Sequence, residues 1–246
     1  MRVFIPAAGR GTRLGSITAS KPKALVEING VPLLQRLIEN LKAVGFDEFV
    51  VNVHHFGDQI ISFLESHNHF DTNIQIADER DSLLDTGGGI VNASTCFTGD
   101  EPFLVHNVDI ISDYNLVDIY KKHMQSDAEI SLVTMHRETS RYLLFDHNNR
   151  LCGWENVKTG EKLNPGNVPE LVQYAFAGIH MVNPSVLKII AAKESRTVFP
   201  VIPAYLSVCG EHKIVGLPEA YSYWLDLGKP STLKEASLIV EKRKLI

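Results

Sequence analysis

The chain has 246 residues, 44% hydrophobic and 22% charged, with a net charge of −5. This composition suits a globular protein with a sizeable core and excludes a global basic field for nucleic acid. No apolar run approaches the ~20 residues that span a bilayer, and the three cysteines, Cys96, Cys152 and Cys209, show neither zinc spacing nor a disulfide framework. The chain opens directly on a strand pattern with no leader, so a cytoplasmic protein with idle thiols and no membrane partner is expected.

Taken in chain order, apolar runs alternate with helical patterns. Residues 3–7 read as a strand, and 31–44 as a helix with Val31, Leu34, Leu37, Ile38 and Leu41 on one face, stopped by Gly45. Strands follow at 49–53, 74–77, 103–108 and 130–135, with helices at 59–64, 89–96 and 116–124 between them. This rhythm predicts an α/β fold with a mostly parallel sheet and helices on both faces. Ligands of such sheets sit at the carboxyl ends of the strands. After Met135 the pattern changes. Residues 142–146 and 151–154 flank a turn at 147–150, and 174–182 is a further strand. A helix follows at 184–192. The run 198–208 is apolar but carries two prolines, and reads either as core or as a dimer surface. Short strands at 214–217 and 222–225 precede a closing helix at 231–242, with Ser231 as its expected cap. One domain, 1–246, is expected, with a nucleotide-binding half (1–135) and an elaboration (136–246) that covers its ligand edge. The chain is expected to be a monomer or a homodimer.

The first strand runs into Pro6-Ala7-Ala8-Gly9-Arg10-Gly11-Thr12-Arg13-Leu14, with Lys21-Pro22-Lys23 close behind. A glycine-rich turn exposes backbone N–H groups, and nearby arginine and lysine add charge, so the stretch suits a polyphosphate. It is neither a dinucleotide fingerprint, since Leu14 stands where the third glycine belongs, nor a Walker loop. In Asp85-Thr86-Gly87-Gly88-Gly89-Ile90, three glycines imply a close approach to the main chain. That approach is either a flat nucleobase or only a helix lead-in. Asp109 ends the strand at 103–108, where a carboxylate can hold Mg²⁺ or cap a helix. Asp226 has apolar flanks, so burial with a cation or with donors is expected. The ten histidines, His54-His55 included, show no ligand spacing, and no nucleophile elbow or His-Glu-x-x-His motif is present.

Together, Pro6 to Leu14, Pro22-Lys23, Thr86-Gly87-Gly88, Asn107-Val108-Asp109 and Trp224 to Pro230 resemble the sugar-1-phosphate nucleotidyltransferases, in that family's order and across nearly the whole chain. The resemblance implies a Rossmann-like fold with a mixed sheet, Mg²⁺ as cofactor, and a nucleoside triphosphate and a sugar 1-phosphate as substrates. It implies that Ala8, Gly9, Gly11 and Thr12 hold the nucleotide, Arg13 grips the triphosphate, and Lys23 contacts the α-phosphate and the sugar phosphate. Gly87 and Gly88 would face the base or the sugar, and Asp109 and Asp226 would hold the metal. Asn107, Glu155, Asn156 and Gly178 would line the sugar site. Departures are Ser16 in place of a proline, no glutamine for the base (Glu79 and Asp81 lie nearby), and Glu161-Lys162-Leu163 in place of a Glu-Lys-Pro motif.

The short chain and Leu84 to Ile90 look most like the compact branch with N-acetylmuramate-1-phosphate uridylyltransferases, which implies UTP. GTP-dependent mannose- and heptose-1-phosphate guanylyltransferases are close competitors. A CTP-dependent phosphocholine enzyme would favour an aromatic cage, for which Tyr221, Tyr223 and Trp224 are candidates. A nucleotide-sensing regulator on this fold would be expected to lose Lys23 or an aspartate, and the chain keeps them.

Overall fold

The structure is a computed structural model that describes residues 1–163 and 170–243. Strand β1 (Arg2–Ile5) leads through two 3-10 segments, Thr12–Thr18 and Lys23–Leu25, into a two-strand ribbon, β2 (Glu27–Ile28) and β3 (Val31–Pro32). Then come α1 (Leu33–Ala43), β4 (Glu48–Val53), α2 (Gly57–Ser66), β5 (Asn73–Asp78), α3 (Asp85–Ser94) and β6 (Phe103–His106). A short β7 (Ile110–Ser112) precedes α4 (Leu116–Met124) and β8 (Ile130–Met135). The second half holds β9 (Arg141–Phe145), β10 (Leu151–Asn156), β11 (Glu161–Leu163) and β12 (Val172–Val182). It closes with α5 (Pro184–Lys193), α6 (Val201–Val208), β13 (Ile214–Pro218), β14 (Trp224–Asp226) and α7 (Pro230–Arg243).

Ten strands form one sheet in which β5, β4, β1 and β6 are parallel neighbours. Strand β12 joins antiparallel to β6 and β8, and β13 adds parallel to β8. Beyond β12 the ladder runs antiparallel through β9, β10 and β11, so only β12 and β10 oppose the common direction. This is the mixed, mostly parallel sheet that the alternation predicts.

Side-chain alternation sorts the core into two layers. Val3, Ile5, Phe49 and Val51 pack on one face with α1, α2, α4 and α7, through Leu34, Ile38, Ile60, Ile119 and Ala236. Phe4, Val50, Phe103 and Val105 point to the other face, where Ile90 of α3, Val186 of α5 and Tyr205 of α6 meet them. Within the apolar run at 198–208, Phe199, Ala204, Tyr205, Leu206 and Val208 are core, while Val198 is exposed. Pro200 is the N-cap of α6 and Pro203 lies in its first turn, where no intrahelical N–H is lost. The closing helix starts at Pro230, so Ser231 lies inside it and is not its cap. The helix expected at 31–44 begins two residues later, because Val31–Pro32 pairs with Glu27–Ile28.

Candidate active site

A cavity of 320 Å³ opens at the carboxyl ends of β1 and β6. Its floor begins where β1 stops. The Ala7 and Ala8 N–H groups donate to Asn52 Oδ1 at 2.6 and 3.1 Å. That fixes the Asn52 amide, whose Nδ2 donates to Glu79 Oε1 at 2.8 Å. Glu79 Oε2 in turn accepts from Leu84 N at 3.1 Å. Asn52 and Glu79 are 5% and 2% exposed, so a buried polar bracket ties the glycine loop to the loop before α3. Burial raises the Glu79 carboxyl above its ordinary range, against the pull of its Asn52 and Leu84 hydrogen bonds. This bracket was not singled out from sequence; polar residues on an apolar strand, such as Asn52 in β4, were its only signal.

Ala8, Gly9, Gly11, Thr12, Arg13, Lys23, Asn107 and Asp109 all line the cavity. The Ala8 N–H is already spent on Asn52, which removes it as a phosphate donor. The N–H groups of Gly9, Arg10 and Gly11 have no acceptor among the described residues. Lys23 Nζ forms an ion pair with Asp109 Oδ2, with both side chains mostly buried. The Arg13 guanidinium, well exposed, lies 3.8 Å from Asp226 Oδ1. Asp226 is half-buried, less than its apolar flanks led one to expect, and its Oδ1 also accepts from Gly228 N at 2.8 Å.

The backbones beside the two aspartates are tied by a ladder that joins the halves of the chain. Strand β14 pairs antiparallel with β7, placing Asp226 opposite Ile110, and Leu227 N donates to the Asp109 carbonyl at 2.9 Å. Both are hard oxygen donors, which is the chemistry Mg²⁺ takes from carboxylates, with water and phosphate oxygens completing the set. Among the described residues no group of three or more His, Cys, Asp and Glu side chains is placed to hold a metal alone. A metal at this pair would thus share its sphere with substrate.

Gly87 and Gly88 do not reach the cavity. Their N–H groups donate to the Phe199 carbonyl at 2.9 and 3.2 Å. A Cβ on Gly87 would lie 2.5 Å from the Phe199 ring, one on Gly88 would overlap the Thr197 carbonyl oxygen, and one on Gly89 would lie 3.0 Å from Glu79 Oε1. The close approach that three glycines imply is made by the protein's own chain. Their neighbours Asp85 and Thr86 take the wall position instead.

A second cavity, 830 Å³, adjoins the first at Arg13, which lines both. Its wall carries Trp154, Phe176, Trp224, Arg137, Arg141 and Lys229. Glu155 and Asn156 are not on this wall. Trp154 faces it, so its neighbour Glu155 points to the other side of β10, where it accepts from Gln173 and pairs with Lys162 at 3.0 Å. Asn156 Oδ1 accepts from Lys158 N at 3.1 Å within a turn. Gly178, at φ +77°, sits where β12 slips register; its carbonyl accepts from Asn107 N at 3.1 Å, so it supports the first cavity from behind. Among the described residues no aromatic cage forms: the Arg137 guanidinium covers the Trp224 ring at 4.6 Å, and Tyr221 packs on Tyr114. His54 and His55 join no metal cluster, and buried His106 is held neutral, its value pushed down to about 4 by burial.

Among the described residues no helix is long and apolar enough to cross a membrane. Comparison with known proteins agrees with this architecture. Mannose-1-phosphate guanylyltransferase 1 of Arabidopsis thaliana is 31% identical over 236 residues, covering 94% of this chain and 62% of its own length. The chain thus spans under two thirds of that relative. Among solved structures, HddC from Yersinia pseudotuberculosis complexed with GMP-PN superposes with a TM-score of 0.73 at 21% identity, over 97% of this chain and 98% of that one. A putative glucose-1-phosphate thymidylyltransferase from Bacillus anthracis, in complex with a sucrose, reaches 0.79 at 16% identity, over 97% and 94%. These two show a shared fold. The family model described as nucleotidyl transferase matches residues 3–243, and the chain belongs to that family.

Proposed function

We propose that the chain transfers a nucleoside monophosphate from a nucleoside triphosphate to a sugar 1-phosphate and releases pyrophosphate. The observation that carries this reading is the pairing of Lys23 with Asp109, and of Arg13 with Asp226, around the glycine loop. Arg13, Lys23 and Asp109 line the pocket at the end of β1, and Asp226 stands beside it against Arg13.

In the reaction, an oxygen of the sugar's phosphate attacks the α-phosphorus in line; a new O–P bond forms as the bond to the β-phosphate oxygen breaks. The protein has no covalent work to do and acts by positioning and charge. The free N–H groups at Gly9, Arg10 and Gly11 orient the triphosphate, and Arg13 holds it from above. Lys23 offsets the repulsion between the two anions as they close. Asp109 and Asp226 are the residues that would hold Mg²⁺, which when bound supplies Lewis-acid stabilisation of phosphate charge.

The guanylyl specificity named for the relative supports GTP with a mannose-type 1-phosphate, in place of the UTP and N-acetylmuramate 1-phosphate that the compact branch implied. The cavity wall offers support as well. Asp85 is an exposed acceptor there, and guanine presents an N–H and an amino group on its pairing edge, where uracil presents one N–H. The test is pyrophosphate release with each of four triphosphates and Mg²⁺ across a panel of sugar 1-phosphates. GTP with mannose 1-phosphate is expected to be turned over, and silence across the whole panel sinks the reading.

A further inference from the structure

We infer that the second cavity selects sugar 1-phosphates that carry a second anionic group, a carboxylate or a further phosphate, and that Arg137, Arg141 and Lys229 bind that group. This rests on the reading of the chain as a sugar-phosphate nucleotidyl transferase and names its substrate class more narrowly.

The chain as a whole is acidic, with net charge −5, yet this wall concentrates cations. Of its four, Arg13 faces Asp226, the wall's one carboxylate. The other three, Arg137, Arg141 and Lys229, form no ion pair with an acid among the described residues. Their placement is built into the fold. Arg141 and Leu143 share a face of β9, Leu143 directly across from Trp154 of β10 and Arg141 from Asn156, so strand alternation aims Arg141 at the cavity. Arg137 lies over the Trp224 ring at 4.6 Å, with Nη1 donating to the Glu138 carbonyl at 3.4 Å and its other N–H groups available to a ligand. Lys229 follows Gly228 at the start of α7, beside the Arg13 and Asp226 contact.

A neutral sugar presents hydroxyls, which both donate and accept, and side chains that read them supply acceptors as well as donors. Two acceptors on the neighbouring strand are diverted: Glu155 is closed off by Gln173 and Lys162, and Asn156 by its own turn. The wall keeps the hydroxyls of Thr139, Ser140 and Thr232 and the one carboxylate of Asp226, and its four cations outnumber that carboxylate beside three aromatic faces. That inventory matches a ring stacked on aromatic carbon with an anion at its rim. Lys23 already serves the reacting phosphate from the first cavity, and that single group does not account for three further cations.

The experiment compares kcat/KM for mannose 1-phosphate, glucuronic acid 1-phosphate and mannose 1,6-bisphosphate, with each of four triphosphates and Mg²⁺, in the wild type and in Arg141→Gln and Lys229→Gln. Both replaced side chains are exposed, and circular dichroism checks the fold. The wild type is expected to prefer at least one doubly anionic sugar by about tenfold or more, and each variant to reduce that preference about fivefold or more. Calorimetric binding of the preferred sugar phosphate to the same variants gives a readout independent of turnover and is expected to weaken alongside. A carboxylate-specific or phosphate-specific preference identifies which anion is read. Equal or better use of mannose 1-phosphate, or a preference that both variants leave unchanged, overturns this inference while the transferase reading stands. No pyrophosphate from any pair overturns both.

Discussion

The glycine-loop cavity and the cationic cavity beside it are made in different ways. In the first, ligand groups are backbone N–H donors and short carboxylates held by buried contacts, with Asn52 and Glu79 bracketing the loop from beneath. In the second, they are long side chains on strand faces and an exposed turn, with only Trp224 under Arg137 as a fixed support. The contrast separates two tasks. A triphosphate is the same for every member of such a family, and rigid donors suit it; a sugar differs, and side chains on strands change without disturbing the sheet.

The largest expected effect comes from breaking the first wall. Lys23→Ala removes the cation at Asp109 and is expected to lower kcat about 10²–10³-fold while leaving the fold intact, since charge contacts of this kind typically contribute that much. Steady-state kinetics with circular dichroism checks it, and near wild-type turnover removes Lys23 from the chemistry. Next in size is Asn52→Ala. It leaves the Ala7 and Ala8 N–H groups and the Glu79 carboxylate each short of a partner, and loss of about 1–3 kcal/mol is expected in denaturant unfolding. If the first cavity is as pre-built as its hydrogen bonds imply, KM for the triphosphate rises as well. A variant that unfolds at the wild-type midpoint would show that the bracket is incidental.

Gly88→Ala sharpens the contrast further. The added methyl meets the Thr197 carbonyl, so a stability loss of about 1–3 kcal/mol from overpacking is expected, seen as a lowered Tm. The base-contact reading expects the opposite pattern: unchanged Tm with weakened triphosphate binding.

These residues also mark where the sequence was legible. The loop at 6–14, Lys23, Asp109 and Asp226 could be read because glycine turns, strand ends and carboxylates carry chemistry at fixed places in an α/β sheet. The parallel block and most helices were legible from periodicity alone, and α4 and β8 match their expected bounds. Other features depend on tertiary pairing. Whether Trp154 or Glu155 faces the ligand turns on one residue of register, which a local pattern does not set. The partners of Gly87 and Gly88 lie over a hundred residues away at Phe199 and Thr197. The short β7, which carries Asp226's strand to Asp109, has only three residues and no periodic signal.

The smallest expected effect is a titration, and it tests whether the bracket is as dry as it is drawn. Burial raises the Glu79 carboxyl in the folded protein above its value in the unfolded chain. Between those two values the native state binds more protons than the unfolded state, so stability falls as pH rises. Glu79's favourable contribution is therefore full below the ordinary glutamate range and is lost as pH climbs through the elevated native value. Glu79→Gln abolishes that slope. It also turns an amide donor toward either Asn52 Nδ2 or the Leu84 N–H, so a small pH-independent loss of stability is expected as well. Denaturant midpoints measured from mildly acidic to neutral pH separate the two effects. A wild-type slope that survives the substitution would mean that water reaches Glu79, and the first cavity would then be supported no more rigidly than the second.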